Sequence, residues 1–301
     1  MEHNEKNMMD IQDIKGCGAA KRALEIAAAG GHGILLMGYT GSGKVALAQR
    51  VNSLLPEMSH DEYREFRDTL SLMLGAELPF DFDLDRPFRA PHRTVSSVAM
   101  QETINLAKHG VLLLDEFVEF DPSVFEGGRV AGVDGRFVLP DTMVVGTAVK
   151  CACGMSGHPN RKCECAGRSK DEYNIRLNKR AFNVFDMRVN VWKGDKAFDG
   201  MDSATVRLRV EAARKIQRDR YKNDGITVNA QMEESQIDSV AIEQDARLML
   251  DKMKMAGVLS SGEVCTVIRV ARTIADLNGQ DKIASADVMA AIVHRAVEMV
   301  F

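Results

Sequence analysis

At 301 residues the chain has room for about two domains of ordinary size. Hydrophobic residues make up 45% and charged residues 27%, which excludes a disordered, collagen-like or disulfide-scaffold protein. With 39 basic against 43 acidic side chains the net charge is −4, so no global positive field points to nucleic acid or an anionic membrane; a DNA contact would be a local patch.

The first fifteen residues are polar and acidic where a signal peptide needs a basic start and an apolar stretch, and no run of about 18 apolar residues occurs anywhere. A cytoplasmic protein without a membrane segment is expected. Residues 19–29 are strong helix formers, stopped by Gly30 and Gly31. Residues 33–37 form a short apolar strand, a glycine-rich turn follows, and helical spacing resumes over 44–55. Residues 61–74 read as a further helix, residues 79–94 as a loop, and 111–114 as a second buried strand ending in Asp115 and Glu116. Between 119 and 141 the glycines suit a loop or hairpin, and 142–149 is a β-branched strand. After a cysteine-rich segment and a mixed stretch, 187–192 alternates as a last strand. From about residue 200 the pattern is helical only, at 203–220, 243–254, 260–277 and 284–299. The expected architecture is therefore α/β: a parallel-sheet core over residues 1–200, then a small all-α domain over 201–301.

Residues 38–44 (GYTGSGK) fit G-x-x-x-x-G-K between a strand and a helix, the context that pattern requires. Gly38, Gly41 and Gly43 let backbone amides of this loop, with those of Thr40 and Ser42, wrap a phosphate, and the helix start adds its positive end. Lys44 would neutralise β- and γ-phosphate charge. The alternative is an ordinary turn that contains glycines. Val45 stands where a hydroxyl would bind Mg²⁺ directly, and a methyl group cannot coordinate a hard cation. Asp115 and Glu116 suit the Mg²⁺ shell and water activation respectively, or form a solvated strand end. Cys151, Cys153, Cys163 and Cys165 are two C-x-C pairs separated by nine residues, able to meet around one structural Zn²⁺ or to remain reduced thiols.

Taken together, residues 21–32 (KRALEIAAAGGH), 87–94 (PFRAPHRT), 106–117 (LAKHGVLLLDEF), the C-x-C pairs and 270–279 (VARTIADLNG) resemble the magnesium-chelatase-like branch of AAA+ ATPases, specifically the ComM/YifB family. The resemblance implies a P-loop core with a helical lid, ATP or ADP with Mg²⁺ between neighbouring subunits of a homo- or hetero-oligomeric ring, and ATP-driven movement on DNA. It also implies a Lon-like N-terminal domain, which the few residues before this module do not supply. Four positions depart from the family pattern: Val45 for Thr or Ser, Val149 or Lys150 for a sensor asparagine, Val184 for a trans-acting arginine, and Ser260-Ser261-Gly262 for Ser-x-Arg. Lys150, Arg176, Lys179, Arg180 and Arg188 are nearby cations that could substitute. The leading expectation is nucleotide binding with impaired hydrolysis; the alternatives are an active DNA translocase and a scaffold without nucleotide. Metal insertion into a porphyrin fits the matching stretches less well.

Other features have plainer readings. Cys17 and Cys265 suit small buried positions, His32, His92 and His109 hydrogen-bonded structural ones, and Arg89 either a pore-facing site or a packed turn. The basic stretch 207–222 suits a solvated helix face better than a DNA site, and Met249, Met253 and Met255 suit core filling.

Overall fold

The computed structural model describes residues 9–78, 85–128, 139, 141–181, 184–198 and 200–295. Five strands, β1 (Ile34–Met37), β2 (Phe88–Arg89), β3 (Val111–Leu114), β4 (Met143–Ala148) and β5 (Met187–Asn190), form one parallel sheet in the order β2-β3-β4-β1-β5. Parallel strands need crossovers: α2 (Lys44–Gln49) and α3 (His60–Leu74) lie between β1 and β2, α4 (Ser97–Leu106) between β2 and β3, and α5 (Gly167–Ala181) between β4 and β5, while α1 (Gly18–Gly30) precedes β1.

Alternation along the strands sorts the core into two layers. Ile34 and Leu36 point with Leu113, Val145, Met187 and Val189 toward α1 and α2. Leu35 and Met37 point with Leu112, Leu114 and Val144 to the other face, covered by Met100 and Ile104 of α4 and Tyr173 and Leu177 of α5. Burial on both faces is why these strands read as continuous apolar runs. At Gly146 a Cβ would lie 2.4 Å from the Phe185 ring, so the ring reaches the sheet only over glycine.

Beyond residue 200 the chain is helical: α6 (Ser203–Arg220), α7 (Glu234–Asp238), α8 (Gln244–Met255), α9 (Ser261–Leu277) and α10 (Ser285–Val293). This region shares its apolar core with the α1 face of the sheet, through Val206, Val210, Val267, Val270, Ala271 and Ile274. A buried polar network crosses the same boundary. His32 bonds Asp186 at 3.1 Å and Thr273 at 2.8 Å, and Asn229 bonds both Thr273 and Asp276 at 2.9 Å. The end of α10 covers the β5 edge, where Arg188 N–H donates to the His294 carbonyl at 2.7 Å. The opposite edge strand, β2, is two residues long, too short to recruit another chain easily.

Several expectations shift. The helix expected over 44–55 ends at Gln49 and continues as a 3₁₀ turn over Val51–Leu54, because the Arg50 guanidinium bonds the Ala46 and Asp10 carbonyls. Two helices, α4 and α5, occupy stretches without an expected element, and the tip of the loop before α4 holds β2. In the glycine-rich segment, Phe117–Glu119 and Pro122–Gly128 are 3₁₀ turns, and 129–138 lies outside the described residues. The last helix stops at Val293; 296–299 likewise lies outside them. Met255 is 88% exposed and so is no core filler, whereas Met249 and Met253 pack against the core. Cys265 is only half-buried, while Cys17 is fully buried. Among the described residues no helix is long and apolar enough to cross a membrane.

Candidate nucleotide site and cysteine knuckle

The register places the chemistry. Met37 pairs with Ala148 on one side and Asn190 on the other, and Leu114 pairs with Gly146, so the glycine loop, Asp115 and Thr147 leave the sheet at the same, C-terminal edge. In open α/β sheets this edge holds ligands. Gly38 N–H donates to the Ala148 carbonyl at 3.1 Å, Thr40 N–H to Gly154 at 2.9 Å and Ser42 N–H to Tyr39 at 3.1 Å. Gly41 and Gly43 have φ of +88° and +97°, a left-handed conformation that other residues adopt only at a steric cost. A Cβ at Gly41 would meet nothing within 4 Å, so the loop faces open space at this exposed residue. The Ser42 hydroxyl is buried with no hydrogen-bond partner among the described residues. Contrary to the expectation from sequence, the amides of Gly38, Thr40 and Ser42 are thus spent on protein carbonyls, and the phosphate-binding part of the loop narrows to the amides of Gly41, Gly43 and Lys44, with the unpartnered Ser42 hydroxyl behind them. Because α2 runs for only six residues, the loop amides and Lys44 carry the positive field more than a helix dipole does.

Lys44 is 7% exposed and its ammonium donates to the Tyr39 carbonyl at 3.3 Å. Burial lowers its pKa, while the charges of Asp115 and Glu116 pull it back up, so the three residues named from the sequence act on one another. Thr147, fully buried in β4, joins the Asp115 carboxylate to the Glu116 backbone. Its hydroxyl donates to Asp115 Oδ1 at 2.5 Å and accepts from Glu116 N–H at 3.1 Å. Glu116 itself is left-handed, with φ of 52°, and its carboxylate forms an ion pair with Arg93. Both partners of that pair are about half exposed, so it contributes little to stability but occupies the carboxylate assigned to water activation. Val45 begins the helix beside Lys44 and offers no oxygen. Lys193, just beyond β5, lies over the loop: its Cε would be 3.7 Å from a Cβ on Gly43. Thr147 and Lys193 carried no signal in the sequence, and the 87–94 stretch did not show that its Arg93 meets Glu116; these contacts come from the tertiary structure.

Of the family-pattern positions, Val184 lies at the other end of the sheet from the glycine loop, its carbonyl 3.0 Å from where a Gly33 Cβ would sit. Ser260 caps α9, its hydroxyl accepting from Glu263 N–H at 3.4 Å. Arg176 pairs with Glu119 at 3.3 Å. Arg188 is packed beside Arg295, and burial together with that neighbour lowers it to about 10. The basic face of α6 is used internally. Arg207 bonds the Ser53 carbonyl, Arg209 pairs with Glu25, Arg214 bonds the Ala28 carbonyl and Arg220 pairs with Asp276. A cavity of about 960 Å³ opens at the opposite end of the sheet between α3 and α6, away from the carboxylates and the loop.

The four clustered cysteines converge beside the glycine loop. Sγ of Cys151 lies 3.5 Å from both Cys153 and Cys163, Cys153 lies 3.6 Å from Cys163, and all four sulfurs fall within 4.8 Å of one another. These separations are too long for a disulfide. They match the roughly 3.8 Å that a tetrahedron of Zn–S bonds of about 2.3 Å requires. Backbone amides of Cys153 and Ser156 donate to the sulfurs of Cys165 and Cys151 at 3.3 and 3.2 Å, the bonding that steadies thiolate ligands. Amides of Met155 and Glu164 lower the Cys153 thiol to about 6, while the neighbouring sulfurs of the cluster push Cys163 and Cys165 up, so the fit to a metal rests on the sulfur geometry. The donor set therefore fits Zn²⁺. Four protein ligands leave no open position, so such a metal would cross-link the knuckle and do no chemistry.

Comparison with known proteins agrees with this geometry. Residues 10–197 match the family model described as magnesium chelatase, subunit ChlI, and residues 200–295 match its C-terminal counterpart. The chain is 31% identical over 313 residues to the uncharacterized protein YifB of Salmonella typhimurium, and 31% over 312 residues to YifB of Escherichia coli, covering 96% of this chain in each case. It is 32% identical over 319 residues to the competence protein ComM of Haemophilus influenzae, covering 97% of this chain. The chain spans 61% of the length of each of these curated relatives. Two models matching the sheet and the helical region in turn, on a parallel sheet with a glycine loop at its C-terminal edge, show that the chain belongs to the magnesium chelatase ChlI-like family of AAA+ proteins.

Proposed function

We propose that this protein binds ATP or ADP on the loop from Gly38 to Lys44, hydrolyses it very slowly, and works as a nucleotide-dependent subunit of an AAA+ ring. The observation that carries the reading is the joint geometry of Lys44, Asp115 and Glu116. The lysine is in place for phosphate charge and Thr147 holds Asp115, while Arg93 engages Glu116 and Val45 offers Mg²⁺ no oxygen. When bound, Mg²⁺ would neutralise phosphate charge, with Asp115 and water as its ligands here. A trans arginine is worth roughly 10³–10⁵ in turnover, so valine at 184 accounts for slow hydrolysis if that position faces a neighbour's nucleotide. Zn²⁺ on Cys151, Cys153, Cys163 and Cys165 would be structural.

The test is equilibrium binding of a fluorescent ATP analogue with and without Mg²⁺, alongside steady-state phosphate release, for the wild type and Lys44→Ala. Lys44-dependent binding with almost no release supports the reading. Lys44-dependent turnover of several per second would replace it with an active motor, for which DNA stimulation is then assayed, and no binding at all would leave a scaffold.

A further inference from the structure

The cysteine knuckle and the glycine loop, 107 residues apart from Lys44 to Cys151 in sequence, are built into one another. Thr40 N–H donates to the Gly154 carbonyl at 2.9 Å, the bond that fixes the crest of the loop. Gly154 has φ of +74°, and a Cβ there would lie 2.3 Å from the Thr40 hydroxyl, so the Thr40 side chain packs directly on the Gly154 backbone and only glycine fits. One residue away, the His158 ring meets the Tyr39 ring edge-on with centroids 4.8 Å apart, and His158 is held by Asn160 N–H at 3.0 Å. The turn that presents these two residues is wound on Cys151: Gly154 N–H donates to its carbonyl at 2.9 Å and Ser156 N–H to its sulfur at 3.2 Å. On the loop side, Tyr39 supplies the carbonyl on which the Lys44 ammonium rests.

From this contact chain we infer that the knuckle is the clamp of the phosphate loop, and that Zn²⁺ on the four cysteines and nucleotide on the loop bind cooperatively. His158 is a positioning residue rather than a ligand, acting through Tyr39. The physical reason is that without a metal only packing and weak thiol contacts join the turn at 151–158 to Cys163 and Cys165. A tetrahedral ion closes that segment into one rigid unit, and the unit presents the Gly154 carbonyl and the His158 ring in the geometry the nucleotide-ready loop requires. A ligand shifts a conformational equilibrium by its differential affinity for the two states, and the shift is reciprocal. The inference rests on the nucleotide reading above.

The experiment uses the full chain. Zinc content is measured by elemental mass spectrometry, then Zn²⁺ is stripped with chelator under reductant and the chelator is dialysed away. Binding of a fluorescent ADP analogue is compared between loaded and stripped protein, with circular dichroism checking that the stripped form is folded. The expected result is affinity weaker by about tenfold without zinc. On the loaded protein, ADP should slow zinc transfer to a chromogenic chelator by a similar factor, a readout that does not depend on the stripped form surviving. His158→Ala should keep zinc yet lose most of both effects, and His158→Phe, which retains the ring contact, should recover them. Equal nucleotide affinity with and without zinc, together with a zinc transfer rate indifferent to ADP, would overturn the linkage. So would a protein that takes up no zinc. A protein that takes up zinc but binds no nucleotide would overturn the proposed function, and the linkage with it.

Discussion

Thr147→Val separates the hydroxyl of Thr147 from its shape, because valine keeps the β-branched bulk in β4 and removes only the oxygen. That oxygen is fully buried, donates to Asp115 Oδ1 at 2.5 Å and accepts from Glu116 N–H at 3.1 Å. A hydrogen bond to an ionised carboxylate contributes about 1.5–3 kcal/mol, and a buried amide left without a partner costs about 1–3 kcal/mol. Both bonds pass through one atom and do not add in full, so the expected loss is about 2–4 kcal/mol. Thr147→Ser keeps the hydroxyl and gives up one buried methyl, about 1 kcal/mol. Urea unfolding followed by circular dichroism compares the three proteins under conditions where the sheet unfolds as one transition. In the same proteins, Thr147→Val should weaken nucleotide binding in Mg²⁺ more than in its absence, because Asp115 loses the bond that aims it. If valine lies within 0.5 kcal/mol of wild type, or serine is as damaged as valine, Thr147 is not what holds Asp115 and the Glu116 backbone.

Restoring an oxygen beside the lysine, Val45→Thr, should make nucleotide affinity respond more strongly to Mg²⁺ in the fluorescent-analogue titration; an unchanged ratio of affinities would show that the hydroxyl is not the missing ligand. Glu62 has a pKa below its usual 4.5: burial raises it, but the Arg86 guanidinium beside it at 3.0 Å, helped by the Ser59 amide, wins. A depressed carboxylate contributes stability that is present above the unfolded value and lost as pH falls through the folded one. Glu62→Gln should therefore lower stability near neutral pH and flatten the acid-unfolding curve below about pH 4.5, and a parallel curve would contradict this. Asn229→Ala removes an amide that bonds Thr273, Asp276 and Tyr221 within the interface between sheet and helical region. The expected destabilisation is about 3–5 kcal/mol by thermal or urea unfolding, and a loss under 1 kcal/mol would mean that water replaces the side chain.

The proposed nucleotide site implies a division of labour that these variants can resolve. In it Lys44 would meet phosphate charge directly and Asp115, held by Thr147, would face Mg²⁺, while Arg93 engages the Glu116 carboxylate and the cysteine knuckle bonds the loop from outside. The basic side chains of α6 are spent on Ser53, Glu25, Ala28 and Asp276, so that helix presents structural cations more than a free positive stripe.

By itself the sequence determined what depends on neighbours along the chain. Glycines at 38, 41 and 43 specify a loop between strand and helix, four apolar residues before Asp115 specify a buried strand with acids at its end, and two C-x-C pairs bring four thiols within reach of one ion. Each is a local rule of backbone freedom, periodicity or spacing. The helices α4 and α5 escaped because little of each faces the core: Met100 and Ile104 in one, Tyr173 and Leu177 in the other, a single i,i+4 pair that is too narrow a stripe to stand out. Tertiary structure alone decided the strand order, and with it everything that depends on register. Thr147 reaches Asp115 and Glu116 because Leu114 pairs with Gly146, and Gly146 can pair there because a side chain would collide with Phe185. Gly154 and His158 reach Thr40 and Tyr39 because β1 and β4 are neighbours that end together. His32 meets Asp186 because β1 pairs with β5, and Thr273 because α9 packs on α1. Such contacts join residues tens to hundreds of positions apart, and no period or spacing along the chain encodes which strand lies beside which.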